Sequence, residues 1–179
     1  MLRHLKIKNQ SFGFSLIELL VVLLLIGLLS NTAVAYWRDV VQQQQADHVA
    51  ELLRGALNRA RLYSMDFNQS VIACGINASL QPDVTLSDWS RGIAIFIDQD
   101  QSETFSVKDT VLETLALLSS AGSGQVSRAG NTPYFEYRHN GALNKFTGNV
   151  TYVPASGDVG LIRRVVLNYA GRVYVEKGS

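Results

Sequence analysis

A chain of 179 residues that is 47% hydrophobic, 17% charged and carries a net charge of +1 has room for one modest globular domain plus an appended apolar segment. The charge is unevenly placed: residues 1–13 hold Arg3, Lys6 and Lys8 with no acid, and the remaining 13 basic residues meet all 15 acidic ones. The bulk of the chain is therefore not a polycation, and a single cysteine, Cys74, excludes an intrachain disulfide framework.

The first element is apolar. Phe14 to Trp37 is 24 residues, about 36 Å as a helix at ~1.5 Å per residue, enough to cross a hydrocarbon core of ~30 Å. The same run fits a secretory signal peptide, with a basic leader, an unbroken apolar stretch Leu19–Leu29 and a small-x-small site at Ala33-Val34-Ala35. An ordinary single-pass anchor is the third reading. None of these explains Glu18, because an acid at a membrane helix centre costs roughly 2.5–3.5 kcal/mol.

Apolar residues continue past the segment. Val49, Leu52, Leu53, Ala56, Leu57 and Ala60 follow helical spacing, with Glu51, Arg54, Asn58 and Arg59 between them, and residues 1–81 contain no proline. One helix is predicted from about Phe14 to about Ser64, apolar all round in its first half and amphipathic in its second. Its second half is expected to cover a core.

The rest reads as β-rich. Strand composition marks Ser70–Cys74, Gly92–Ile97, Val111–Leu118, Tyr134–Arg138, Val150–Val153, Leu161–Asn168 and Arg172–Val175. Asn168-Tyr169-Ala170-Gly171 is expected to turn the last two into a hairpin, and Ser119–Asn131, rich in Ser and Gly, is expected to be a flexible loop without core-forming residues. Helix first and strands after gives an α+β fold, with antiparallel sheet packed on the amphipathic half-helix.

Gly13-Phe14, Glu18 four residues on, a basic leader and a long apolar helix together resemble the N-terminal motif of type IV pilins and of type II secretion pseudopilins. "LLRGALNRARLYSMDFNQSVIAC" (52–74), "WSRGIAIFID" (89–98), "FEYRHNGAL" (135–143) and "VVLNYAGRVYV" (165–175) are similar, in order, to the landmarks of the GspH/FimT branch. The resemblance implies a pilin-like fold and three parts: a leader over 1–13, a transmembrane and assembly helix over 14–37, and a periplasmic head over 38–179 whose helix runs to about 64. It implies cleavage by a prepilin peptidase between Gly13 and Phe14, methylation of the new Phe14 amino group, and pairing of Glu18 with that ammonium on a neighbouring subunit. Such a pair selects one register, since either charge alone in an apolar bundle is strongly unfavourable. One departure is Ala35, which stands where many major pilins carry a kinking proline.

The implied function is a minor pilin assembled through its N-terminal helix into a type IV pilus, in its initiation or tip complex. A minor pseudopilin of type II secretion is the alternative, and a FimT-like DNA-binding pilin of natural transformation is the second. The implied partners are other pilins or pseudopilins, the prepilin peptidase and the bacterial inner membrane. Basic residues ahead of the helix keep the N-terminus cytoplasmic and send the head to the periplasm. For DNA, the family's Gly-Arg-x-Arg motif reads Gly171, Arg172, Val173 and Tyr174 here, so half its basic signature is missing. Arg163, Arg164 and Arg172 form a small patch for weak binding at most.

No enzyme is expected. His4, His48 and His139 lie apart, and no nucleophile elbow, phosphate loop or dinucleotide fingerprint occurs. Asp98, Asp100 and Ser102 imitate the start of a calcium loop, but Glu103 replaces its glycine and Asp109 its final glutamate. A solvated turn, with no metal and no cofactor, is the preferred reading.

Overall fold

The computed structural model describes residues 15–117 and 124–178. The chain divides into two units, one ending at Val40 and the other formed by Val41–Ser179. Helix α1 (Leu16–Asp66) supplies residues to both, two residues longer than predicted at its C-terminal end.

In the first unit, Leu16, Ile17 and the run Leu19–Ile26 are exposed, all large and apolar. Among the described residues, no helix is long and apolar enough to cross a membrane. The side chains of residues 28–36, which the expected span over 14–37 includes, lie outside the description.

The second unit is the head, and its core is built on the predicted stripe. Ala46, Val49, Leu53, Ala56, Leu57 and Ala60 are all fully buried, one face of the helix at successive turns. Each buried leucine contributes about 1.5–3 kcal/mol. The polar face makes its own attachment: Arg59 grips Glu113 with two hydrogen bonds of 2.8 and 2.6 Å, a bidentate fork that only a guanidinium offers.

Two antiparallel sheets face this stripe. The first contains β1 (Val71–Ile76), β2 (Pro82–Asp83), β3 (Gly92–Ile97), β4 (Thr110–Ala116) and β6 (Phe135–Tyr137). Its path is β2-β1-β3-β4, with β6 also paired to β1. The second contains β5 (Gln125–Ala129), β7 (Gly148–Val153), β8 (Arg163–Leu167) and β9 (Val173–Lys177), in the order β5-β7-β8-β9.

Every residue of β1 and β3 is buried. Their inward residues Val71, Ala73, Ile93 and Ile95 join the helix core, whereas Ile72, Cys74 and Phe96 point the other way and are covered by Val84, Phe105 and Tyr134. A sheet covered on both faces reads as continuous apolar sequence, which is what "VIACGI" and "GIAIFI" are.

Two expectations about the strands need correction, and one short strand was not predicted. Ser119–Asn131 is not featureless: residues 119–123 lie outside the description, but Gln125–Ala129 is β5, with Val126 and Arg128 buried and the residues between them exposed. Its serines and glycines hid a short period-2 pattern. Leu161 belongs to a 3-10 turn, Val159–Leu161, capped by the Asp158 carboxylate accepting from Gly160 N at 2.9 Å, so the strand starts at Arg163. The two-residue β2 carries too little sequence for any periodicity to be seen.

Cys74 is fully buried on β1, and burial pushes its thiol up to about 12. A maleimide is therefore expected to label the native protein at least about a hundredfold more slowly than the denatured one, because the thiolate is the nucleophile and must first be exposed. Comparable rates in buffer and in denaturant contradict that placement.

Candidate functional site

The sequence points to two places, the N-terminal segment and the C-terminal hairpin. Gly13 and Phe14 lie outside the described residues. Glu18 sits in the first turn of α1, where its N–H donates to the Ser15 carbonyl at 3.0 Å. An acid in a first helical turn complements the positive end of the helix dipole. The side chain is exposed within a stretch whose neighbours are leucine, isoleucine and valine.

At the hairpin, strand alternation separates Arg163 from Arg164. In β8, Arg163 and Val165 face the core while Arg164 faces solvent, because neighbouring side chains of a strand point to opposite faces. Arg163 is only 3% exposed: Nε donates to Asp47 on α1 at 2.6 Å, and Nη1 donates to the carbonyls of Gly160 at 2.8 Å and Ile162 at 3.0 Å. This corrects its place in the patch, since its donors are committed inside the head. Arg164 and Arg172 stay exposed, with Tyr174 on β9 at 45%. Arg164 stands opposite Glu176 across the ladder, which offsets part of its charge.

Gly171 has a structural assignment. Its φ is +72°, and a Cβ there would lie 2.0 Å from the carbonyl oxygen of Gly141. Gly141 is itself at φ +76°, and its carbonyl accepts from Arg61 Nε on α1 at 3.0 Å. The hairpin turn is thus held tightly against the turn after β6, with Leu143 N donating to the Tyr169 carbonyl at 3.1 Å.

Two further charged groups were misread or missed in sequence. Asp98 is not a solvated turn residue: it is 3% exposed and accepts from Ser102 N at 3.1 Å and Glu103 N at 3.0 Å. Burial raises its pKa, against those two hydrogen bonds. The carboxylates of Asp98, Asp100 and Asp109 come within 4.8 Å of one another, but Asp109 also serves the loop, accepting from Gln99 N at 3.0 Å and Ser106 N at 2.7 Å.

Arg128 on β5 is buried over the Phe135 ring, 3.9 Å from its centre, and donates from Nη1 to the Ala129 carbonyl. Burial lowers its pKa to about 10. The alternation of β5 is the signal that could have found it.

A long N-terminal helix whose second half packs beneath antiparallel sheets is a pilin-like fold, and a prokaryotic N-terminal methylation motif matches residues 8–30. The chain is similar in fold to FimU, a type IV minor pilin of Pseudomonas aeruginosa strain PAO1. In one crystal form FimU is 16% identical over 74% of this chain and 89% of its own, with a TM-score of 0.59. In a second form it is 15% identical over 73% of this chain and 91% of its own, with a TM-score of 0.51. No curated protein matches in sequence.

At these identities the likeness is one of fold. Motif and fold together bear out the resemblance to minor pilins read from the sequence.

Proposed function

We propose that this chain is a minor pilin that assembles through its N-terminal helix into a type IV pilus, in the initiation or tip complex. The observation that carries the reading is the methylation motif over residues 8–30 leading into a FimU-like head. In this reading residues 1–13 are a cytoplasmic leader, 14–37 anchor the chain in the inner membrane, and 38–179 form a periplasmic head. The exposed apolar run Leu19–Ile26 supports burial in lipid first and in a helical bundle later.

Intact-mass and N-terminal analysis of protein extracted from membranes is expected to give a chain that begins at methylated Phe14. A terminus at Tyr36 establishes a secretory signal peptide instead. Assembly in a type II secretion pseudopilus is distinguished by co-isolation: the pilus reading expects the protein in sheared surface filaments, and its retention in the cell envelope with secretion components overturns it.

The DNA-binding alternative draws on one observation, the exposed Arg164, Arg172 and Lys177 around Tyr174. With Arg163 committed to Asp47, about three phosphate contacts remain, for a salt slope near −2.7 at ~0.9 per contact. Binding of duplex DNA in mobility shifts is expected only at low salt. It should strengthen in Tyr174→Arg and disappear in Arg172→Ala; tight binding at physiological salt that depends on Arg172 makes DNA uptake the better reading.

A further inference from the structure

Within the head, the segment after α1, the loop after β3, and β6 with the turn that follows it line an open cavity of about 450 Å³, a size usual for small-molecule sites. Its floor is a fixed network. Glu136 accepts from the Ser70 hydroxyl at 2.8 Å and from the Asn144 amide at 2.7 Å, while the Asn144 side-chain oxygen accepts from Arg138 Nε at 2.7 Å. Each group is thus oriented before any ligand arrives, which lowers the ordering cost of binding.

The backbone around the cavity is unusual. Of the four described non-glycine residues with positive φ, three line it: Asn68 at 52°, Gln101 at 55° and Glu103 at 59°. Such conformations are uncommon outside glycine and gather at ligand clamps.

The lining chemistry narrows the ligand class. Every lining side chain is polar, so nothing there rewards an apolar ligand. Glu103 is already paired with Lys145, and the buried Asp98 carboxylate accepts from the Ser102 and Glu103 amides, which leaves Glu136 and Arg138 as one negative and one positive group in the wall. Carboxylates accept only, amides both donate and accept, and a guanidinium donates only. A ligand that satisfies this mixture is neutral and dense in groups that both donate and accept, and hydroxyl groups do so.

We propose that this cavity is a binding site for a neutral saccharide, with Glu136 and Arg138 as the acceptor and donor that orient its hydroxyls. Recognition by hydrogen bonds alone, without a stacking ring, gives weak affinity, with Kd on the order of 1 mM. The site lies wholly in the head and stands apart from the assembly reading.

Saturation-transfer NMR tests it, using the full chain in a detergent free of sugar headgroups and glucose, galactose, mannose and N-acetylglucosamine as probes at about 10 mM. At least one sugar is expected to give signals that saturate with concentration. Glu136→Gln should weaken that binding by about tenfold or more, as loss of an oriented charged acceptor does. Because Glu136 also bonds Ser70 and Asn144, the exposed His139 supplies a second variant: His139→Ala leaves the network untouched and should also weaken binding. No signal from any of the four sugars, or signals unchanged in both variants, overturns the proposal.

Discussion

Glu18→Ala is expected to insert in the membrane at least as well as the parent and to be lost from filaments. Removing the acid makes the helix more apolar, which favours insertion by roughly 2.5–3.5 kcal/mol if the residue sits deep. On the pairing proposed for the assembled bundle, however, the Phe14 ammonium of a neighbour loses its carboxylate. Breaking a buried pair from one side costs about 3–5 kcal/mol, roughly a hundredfold to several thousandfold in subunit association at ~1.4 kcal/mol per decade. Glu18→Gln keeps the shape and removes the charge, so it should fail in the same way. Quantifying the subunit in sheared filaments against its level in whole membranes makes the measurement. Normal incorporation at normal subunit level removes the pairing role given to Glu18.

Gly171→Ala is the second large effect, and it falls on stability. The residue is held at φ +72° with the Gly141 carbonyl oxygen 2.0 Å from the added methyl, so both backbone strain and a backbone clash oppose the substitution. Strain alone costs about 1–2 kcal/mol for an L-residue in the left-handed region, and the displaced turn adds to it. A total of about 3 kcal/mol or more is expected, which lowers Tm by roughly 6–12 °C for a chain of this size. Gly157 is an internal control: its φ is +68°, but a Cβ there meets nothing within 4 Å. Gly157→Ala should therefore cost only the strain, about 1–2 kcal/mol. Equal losses at the two positions leave the contact with Gly141 without energetic weight.

These two predictions draw on different sources of knowledge. Glu18 stands out in the sequence because a single acid in a run of leucines and valines needs no partner strand or helix to be noticed. Gly171 was also noticed there, but for another reason, as the first residue of a basic motif. Its close approach to Gly141, 30 residues earlier, is invisible until the two turns are folded together. Arg163 and Arg164 show the same division within two adjacent letters. Sequence alone counts two cations, whereas the fold sends one to solvent and commits the other to Asp47, 116 residues away.

By itself the sequence determined the N-terminal motif, the helix with its apolar and amphipathic halves, the buried stripe from Val49 to Ala60, and the α+β class. All of these are carried by spacing between near neighbours, at a period of 3.6 or in a fixed short motif. Tertiary structure alone decided that the strands form two sheets, that Gln125–Ala129 is one of them, that β1 and β3 are covered on both faces, and that Glu136, Asn144 and Arg138 meet Asp98 around one cavity. The physical reason is that a strand's inward face and its neighbours depend on register with partners far away in the chain, and no local pattern specifies which partner that is.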